Sequence, residues 1–419
     1  MAFYGTISPM EISAIVTHGL LFITLYAEVF LLLAFFDSYE ATDVADPFTL
    51  PKRVPSVAII VPCYNEEKTV AGTIQSLLHL EYPKDKLSIL VVDDGSKDTT
   101  FSVASQFCNQ AQVQVFHKEN GGKHSAMNFA LHKTNAEIIG CLDADSFVEK
   151  NALRASIKQM IESNADAVTP AIVVHEPKNM LQLIQKAEYS LGVFIRRAFS
   201  AAGAIFITPG PLSLFKRDVI ITLGGWKHAH GTEDLEMGLR LQNNFYKITN
   251  TPRSHVQTKS PDTIVKLYKQ RVRWTYGFIM NALDYRHMFF NRKYGSLGMV
   301  LLPAAFFSIF TVIYFTITIG SHLISNGYNA LVRYSILGVH MPSLSNFDIF
   351  FVNTSSIALL AYVLFSIALT LMCIGKRLSG GRIFALDVPL YLTFYGFLAP
   401  LWIVGAVARA ITRTQAPWR

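Results

Sequence analysis

Charged side chains are scarce. Asp, Glu, Lys and Arg make up 16% of the 419 residues, against roughly 25% in ordinary soluble domains. Hydrophobic residues reach 51% and cluster along the chain, which argues against a water-soluble globule and for a membrane protein. Cysteine is scarcer still. The four present, Cys63, Cys108, Cys141 and Cys373, show no CxxC spacing. A disulfide framework and a zinc site are therefore not indicated, and a reduced cytosolic compartment fits the three that lie in the polar region. No long basic run and no basic-aromatic stripe accompanies the net charge of +7, so nucleic acid is not expected as a partner. Positive residues near membrane spans account for the excess, through cytoplasmic-side retention and attraction to anionic lipid. A Walker A sequence is also missing, and nucleotide hydrolysis of that type is not implied.

Formal charge vanishes altogether from 296–320, 349–374 and 388–408, and a further apolar run covers 12–36. Each is long enough to cross about 30 Å of hydrocarbon as a helix. The first run is not read as a secretory signal. No basic residue precedes it, it is too long, and no small-residue cleavage site follows. Glu28 lies inside it. Two readings fit: a functional intramembrane carboxylate facing a polar path or partner, or an offset span with Glu28 near the headgroups. The segment 375–382 carries Lys376, Arg377 and Arg382 and no acid, so it is expected in the cytoplasm. Counting back through two spans places the polar region in the cytoplasm as well, and the N-terminus outside. A complete last span would put Arg409, Arg413 and Arg419 outside, so either that segment is re-entrant or interfacial or the charge rule fails there.

The expected organisation is an N-terminal transmembrane helix and linker (1–51), an α/β domain (52–265), amphipathic interface helices (266–295) and a C-terminal region of about three membrane segments (296–419). Within the domain, 57–61, 87–92, 113–116 and 138–142 are short apolar runs of the kind that form buried parallel strands. Helix-compatible stretches at 66–80, 98–106, 123–133 and 152–162 separate them. This alternation predicts a mostly parallel sheet covered by helices on both faces. Ligands of such sheets lie at the carboxyl ends of the strands. Asp93-Asp94-Gly95 and Asp143-Ala144-Asp145 each follow an apolar run directly.

An Asp-x-Asp pair at a strand end offers hard oxygen ligands to Mg²⁺ or Mn²⁺, which in turn grips a diphosphate. Alone it reads equally as two solvated turn aspartates. Asp94 suits a nucleotide contact, while Gly95-Ser96 makes a turn and Ser96 or Asp98 caps the next helix. Asn120-Gly121-Gly122-Lys123 sets an ammonium and backbone N–H groups at a helix start, where they suit a phosphate. In Thr232-Glu233-Asp234, Asp234 is the candidate general base; a helix N-cap is the plainer role for the same three residues. Gln270, Arg273 and Trp274 fall at i, i+3 and i+4 and share a helix face. Trp offers a plate to a sugar, and Arg a planar fork to phosphate. An interfacial amphipathic helix explains the same stretch, with Lys266, Lys269, Arg271 and Arg273 beside Leu267, Tyr268 and Trp274.

Taken in order, the motifs resemble those of the processive family-2 glycosyltransferases, the group of hyaluronan, chitin, cellulose and poly-N-acetylglucosamine synthases. The resemblance rests on Val61-Pro62-Cys63-Tyr64-Asn65-Glu66-Glu67, Asp93-Asp94-Gly95-Ser96, Gly122-Lys123 through Asn128, Cys141-Leu142-Asp143-Ala144-Asp145, Gly210-Pro211-Leu212, Thr232-Glu233-Asp234 and Gln270 through Trp274. It implies a GT-A fold, a UDP-sugar donor, a growing polysaccharide acceptor, and spans that form a channel for the polymer in the cell membrane. It implies further that Tyr64, Glu66, Asp93 and Asp94 serve the substrate, the uridine part above all, and Lys123 the nucleotide. Asp143 and Asp145 serve diphosphate and a Mg²⁺ or Mn²⁺ ion, Asp234 beside Glu233 the proton transfer, and Gln270, Arg273 and Trp274 diphosphate and acceptor. Thr232-Glu233-Asp234 and 269–274 look like the poly-N-acetylglucosamine synthases, whereas Gly210 through Phe215 is closer to the hyaluronan and chitin-oligosaccharide type. No cyclic-di-GMP module of the cellulose type is visible.

The expected function is an inverting, processive β-transferase that polymerises a UDP-hexosamine, UDP-N-acetylglucosamine first, and extrudes the product. Transfer of one sugar to a lipid carrier is the alternative reading. A transport subunit with a nucleotide-sensing domain and no catalysis is a third.

Overall fold

In the computed structural model, residues 9–37, 48–338, 355–383 and 385–414 are described. Eight strands form one sheet in the order β3-β2-β1-β4-β7-β6-β8-β5. They are β1 (Val57–Cys63), β2 (Leu87–Asp93), β3 (Val113–His117), β4 (Ile138–Cys141), β5 (Ser146–Val148), β6 (Ala167–Val174), β7 (Ser213–Lys216) and β8 (Ile248–Thr258). The first four coincide with the apolar runs of the sequence. In β1, β2 and β4 the residues are mostly apolar with little alternation because helices cover both faces, whereas edge strand β3 leaves Gln114 and His117 exposed. Val57, Ile59 and Val61 of β1 join one core with α2 (Val70–Leu78), α3 (Thr100–Ser105) and α5 (Ala152–Glu162). Ala58 and Ile60 point the other way, to α4 (Lys123–Leu131), α7 (Arg217–Thr222) and α8 (Glu233–Asn243).

The sheet is mixed. β1–β2, β1–β4, β2–β3 and β6–β8 are parallel, whereas β4–β7, β6–β7 and β5–β8 are antiparallel. The expectation of a mostly parallel sheet holds for the first half only. β5 and β7 have three and four residues, too short to show a period in sequence. β7 also arrives from the Gly210-Pro211-Leu212 corner, where Leu212 takes φ 56°, rather than from a crossover helix.

Among the described residues, four helices are long and apolar enough to cross a membrane. They are α1 (Pro9–Asp37), α10 (Leu302–Leu337), α11 (Ser356–Leu378) and α12 (Asp387–Thr412). Three match the charge-free runs closely. α10 continues well past 320 to reach 36 residues, since the residues that follow are helix-compatible and carry a single formal charge, Arg333. Positions 349–354 of the third run lie outside the described residues. Lys376, which the sequence places in a basic cytoplasmic loop, is in the last turn of α11. There it is buried against Asp387 at the start of α12, with side chains 1% and 2% exposed. Glu28 shares the face of α1 that carries Leu31, Leu32 and Phe35 into the contact with α6 and α11, and its Oε2 is buried without a hydrogen-bond partner among the described residues.

Two amphipathic helices join the sheet domain to these spans. α6 (Met180–Ala201) sets Phe194 and Ala198 against Phe35 of α1 and Leu371 of α11, and Ala187 against Met372 and Val388. α9 (Ile264–Asp284) packs Leu267, Val272 and Tyr276 on Trp402 and Ala406 of α12. Glycine is required where backbones touch. A Cβ at Gly238 of α8 would run into the Phe206 carbonyl and come within 2.8 Å of the Ile207 nitrogen. Gly238→Ala is therefore expected to destabilise the domain by roughly 1–3 kcal/mol, the usual cost of overpacking. Thermal unfolding of the detergent-solubilised variant checks this; an unchanged midpoint would show that α8 is free to shift.

Candidate active site

The site grows from the carboxyl ends of β1, β2 and β4. At the end of β2, Asp93 is fully buried. Its carboxylate accepts from His117 Nδ1 at 2.6 Å and from the Ser96 N–H at 3.3 Å. Asp94 accepts from Lys118 Nζ at 2.7 Å and from the N–H groups of Gly121 (3.1 Å) and Gly122 (2.7 Å). Gly122 has φ 85°, a conformation open mainly to glycine. Asp94 thus fixes the turn that delivers Lys123 to the first position of α4. Tyr64 and Glu66 lie beyond β1. Tyr64 is exposed, and Glu66 accepts from Thr69 Oγ1 at 2.8 Å.

Lys123 is the centre of the arrangement. Its Nζ lies 2.8 Å from Asp143 Oδ1, 3.0 Å from Glu233 Oε1 and 3.5 Å from Asp234 Oδ2. Burial alone would lower its pKa, but Asp143, Asp234 and Glu233 outweigh it and hold the ammonium well above the usual lysine range. Asp234 behaves oppositely. Burial pushes its carboxyl up to about 7, with Glu233 and Asp143 adding to the rise and Lys123 and the Gly210 N–H opposing it. Burial also works against Glu233, yet Lys123 and then Arg273 keep that carboxylate below its ordinary value. Two adjacent carboxylates are thereby driven apart, one held charged and one poised near neutrality. The Gly210 N–H donates to Asp234 Oδ2 at 2.9 Å. A Cβ at Gly210 would sit 2.6 Å from Asp143 Oδ2 and 2.7 Å from Lys123 Nζ, so the corner before β7 is part of the site.

Asp234 is placed from both sides. Thr208 donates its N–H (3.0 Å) and Oγ1 (2.9 Å) to the Asp234 carbonyl. Ahead of α8, Ala229, His230 and Gly231 all have positive φ, at 45°, 55° and 77°. Such a turn persists only where its surroundings hold it, and α9 does so. Arg273 Nη1 donates to the Gly231 carbonyl at 3.0 Å, and Asn281 Nδ2 donates to Thr232 Oγ1 at 3.0 Å. A Cβ at Gly277 would collide with the Thr232 side chain. Arg273, Gly277 and Asn281 follow at intervals of four on one face of α9. Only the first of these figures among the sequence candidates. The four-residue repeat was the available signal for the other two. Trp274 is 37% exposed on the same helix, and Gln270 Oε1 is buried without a hydrogen-bond partner among the described residues.

The structure thus gathers Lys123, Asp143, Glu233 and Asp234 at one point, with Arg273 one turn away. Asp93 and Asp94 bond the neighbouring strand and loop. Asp145 starts the turn into β5, where Ser146 Oγ donates to its Oδ1 at 3.3 Å. No three His, Cys, Asp or Glu side chains form a metal cage among the described residues. The partly exposed Asp143 and the neighbouring Asp145 fit a hard cation held by one or two carboxylates and completed by substrate phosphates.

The bracing of the turn ahead of Asp234 is open to test. Asn281→Leu removes the donor to Thr232 and should lower turnover by about 10²-fold, the penalty for misplacing a reacting group by roughly 1 Å. Affinity for the donor nucleotide should be unchanged, as measured by calorimetry; equal loss of both would show a general folding defect.

The chain resembles several known proteins. Residues 58–224 match the family described as Glycosyl transferase family 2. A poly-beta-1,6-N-acetyl-D-glucosamine synthase of Staphylococcus epidermidis is 29% identical over 358 residues, covering 85% of this chain and 82% of that protein. A synthase of the same name from Staphylococcus aureus (strain COL) is 31% identical over 228 residues, 54% of this chain and 55% of that one. Among solved structures, a mannosyltransferase from Pyrobaculum calidifontis, in complex with GDP-Man and Mn2+, superposes with a TM-score of 0.60 at 19% identity, covering 95% of this chain and 99% of that one. That likeness concerns the fold, which is of the GT-A type in both. The chain carries a family-2 glycosyltransferase domain and is homologous to the poly-N-acetylglucosamine synthases, and helices of membrane-spanning length flank that domain.

Proposed function

We propose that this enzyme polymerises N-acetylglucosamine or a closely related hexosamine from a UDP-sugar, processively and with inversion, and passes the β-linked polymer across the membrane. The observation that carries the reading is the Asp234 carboxylate. It is held by Lys123 and the Gly210 N–H beside the Asp143 turn, with its pKa raised to about 7. The ideal general base at neutral pH has such a value. The homology to poly-N-acetylglucosamine synthases supports the choice of sugar. In this reading the catalytic domain faces the cytoplasm, and the N-terminus lies on the opposite side.

Asp234 takes the proton from the acceptor hydroxyl as that oxygen attacks the anomeric carbon from the face opposite the leaving diphosphate. Lys123, released in part from its carboxylates, neutralises developing charge on the leaving oxygen. Arg273 and Gln270 approach the diphosphate from α9, and Trp274 supports the acceptor sugar. Tyr64 and Glu66 hold the uridine end. Asp143 and Asp145 are the residues that would hold Mg²⁺ or Mn²⁺. When bound, such an ion offsets diphosphate charge.

Incubating the purified enzyme with a panel of UDP-sugars, with UDP release and product mass as readouts, tests the substrate assignment. UDP-N-acetylglucosamine should give long polymer; a single addition to lipid would refute processivity. Asp234→Asn should abolish synthesis while leaving UDP affinity within a few-fold. Because only the carboxylate form accepts a proton, the initial rate should rise about tenfold per pH unit below about 7 and level off above it. Glu233→Gln removes a negative neighbour of Asp234 and frees Lys123 to stabilise its charged form, so the rising limb should move to lower pH. Movement the other way would contradict the assignment of the base. Chelation by EDTA should silence the enzyme, and either ion should restore it; full activity in metal-free buffer would remove the metal from the scheme.

A further inference from the structure

Two arginines of α9, two positions apart, face in opposite directions. Arg273 turns to the catalytic loop. Arg271 turns to the membrane helices, and it is 8% exposed. Its Nη2 lies 2.8 Å from Glu188 Oε2 on α6. The other oxygen of Glu188 accepts from the hydroxyl of Tyr395 on α12 at 2.9 Å. Tyr395 is wedged in place, with ring centroids 4.5 Å from Tyr391 and 5.7 Å from Trp402. The Arg271 guanidinium also lies over the indole of Trp274, 4.4 Å from its centroid. One guanidinium therefore holds a carboxylate with one nitrogen and backs an aromatic plate with its plane.

We propose that Glu188, Arg271 and Tyr395 are positioning residues that set the attitude of Trp274, so that the seating of α12 against α6 and α9 decides how the acceptor saccharide is gripped. The inference deepens the proposed function, since it rests on Trp274 being the acceptor platform. The chemistry favours an aligning role over a simple tie between helices. An ion pair alone needs a point charge, which lysine supplies. Backing an indole needs a flat cation of its own dimensions, which only arginine supplies. With one face covered by Arg271, the indole has its other face for the C–H side of a sugar ring.

Two conservative variants test this. Arg271→Lys keeps a charge for Glu188 and loses the plane; Tyr395→Phe keeps the ring and loses one hydrogen bond to Glu188. In well-folded protein in detergent, both should keep UDP affinity within about twofold and shorten the polymer several-fold. A larger share of donor should be hydrolysed rather than transferred. Each variant is then combined with Trp274→Ala. If the effect passes through Trp274, the second substitution adds nothing to product length, and this non-additivity is the expected result. Normal polymer from both single variants would overturn the proposal. So would additive losses in the double variants, or a parallel fall in UDP affinity, melting temperature and length, which marks a purely structural pair. Should Arg271→Lys fail to fold, Tyr395→Phe with its double variant decides alone. Wild-type protein that makes no polymer at all would instead refute the proposed function, an outcome distinct from these.

Discussion

One buried ammonium makes the rest of the site possible. Asp143, Glu233 and Asp234 meet in a space where three ionised carboxylates could not persist unaided. Lys123 lies among them, and its charge favours the ionised forms of Glu233 and Asp234 against the effect of burial. Four separate pieces of chain must be correctly placed for this to happen: the start of α4, the turn after β4, the start of α8 and the Gly210 corner. The ammonium reaches its position because Asp94 organises Gly121 and Gly122 beneath it. Asp94 therefore bears on the site through the loop that carries Lys123. Arg273 adds a second positive charge that acts on Glu233.

The second organising feature is α9. One face of the helix bears Arg273, Gly277 and Asn281 against a strained turn that would not otherwise hold its shape. Other residues, Leu267, Val272 and Tyr276, pack on α12. Catalytic loop and membrane helix are thus fastened to the same rod. An amphipathic helix at a membrane surface and a motif for substrate binding were two readings of one stretch in the sequence. In the structure the face that bears Arg273 meets the turn before Asp234, and Leu267, Val272 and Tyr276 meet α12.

How much was legible depended on the range of the forces involved. The strands β1 to β4 and their helices showed themselves because burial on both faces leaves an apolar run of the right length. The charge-free helices showed themselves for the same reason on a larger scale. β5 and β7 did not, being short and paired antiparallel with partners far away in sequence. α6 had no motif to announce it, although Phe194 and Glu188 tie the domain to three other helices. At the site, acidic residues at strand ends were visible as a pattern. That Lys123 would sit among Asp143, Glu233 and Asp234, rather than wait for a phosphate, was not visible. It follows from contacts between residues as much as 111 positions apart. Gly210 and Gly277 matter for what they lack, and the absence of a side chain becomes informative only once its neighbour is known.

The length of α10 has a geometric consequence. Thirty-six residues make a rod of about 54 Å at 1.5 Å per residue, while the hydrocarbon layer is about 30 Å thick. Tilt alone would have to exceed 50°, beyond the roughly 40° that spans adopt. The end at Leu302 is anchored in the catalytic domain's core beside Phe206 and Leu235, so the surplus emerges at the opposite surface. From about His322 onward the helix stands clear of its neighbours, nearly every residue exposed. Some 20 Å of helix, from about His322 to Leu337, is therefore more than the hydrocarbon layer can hold.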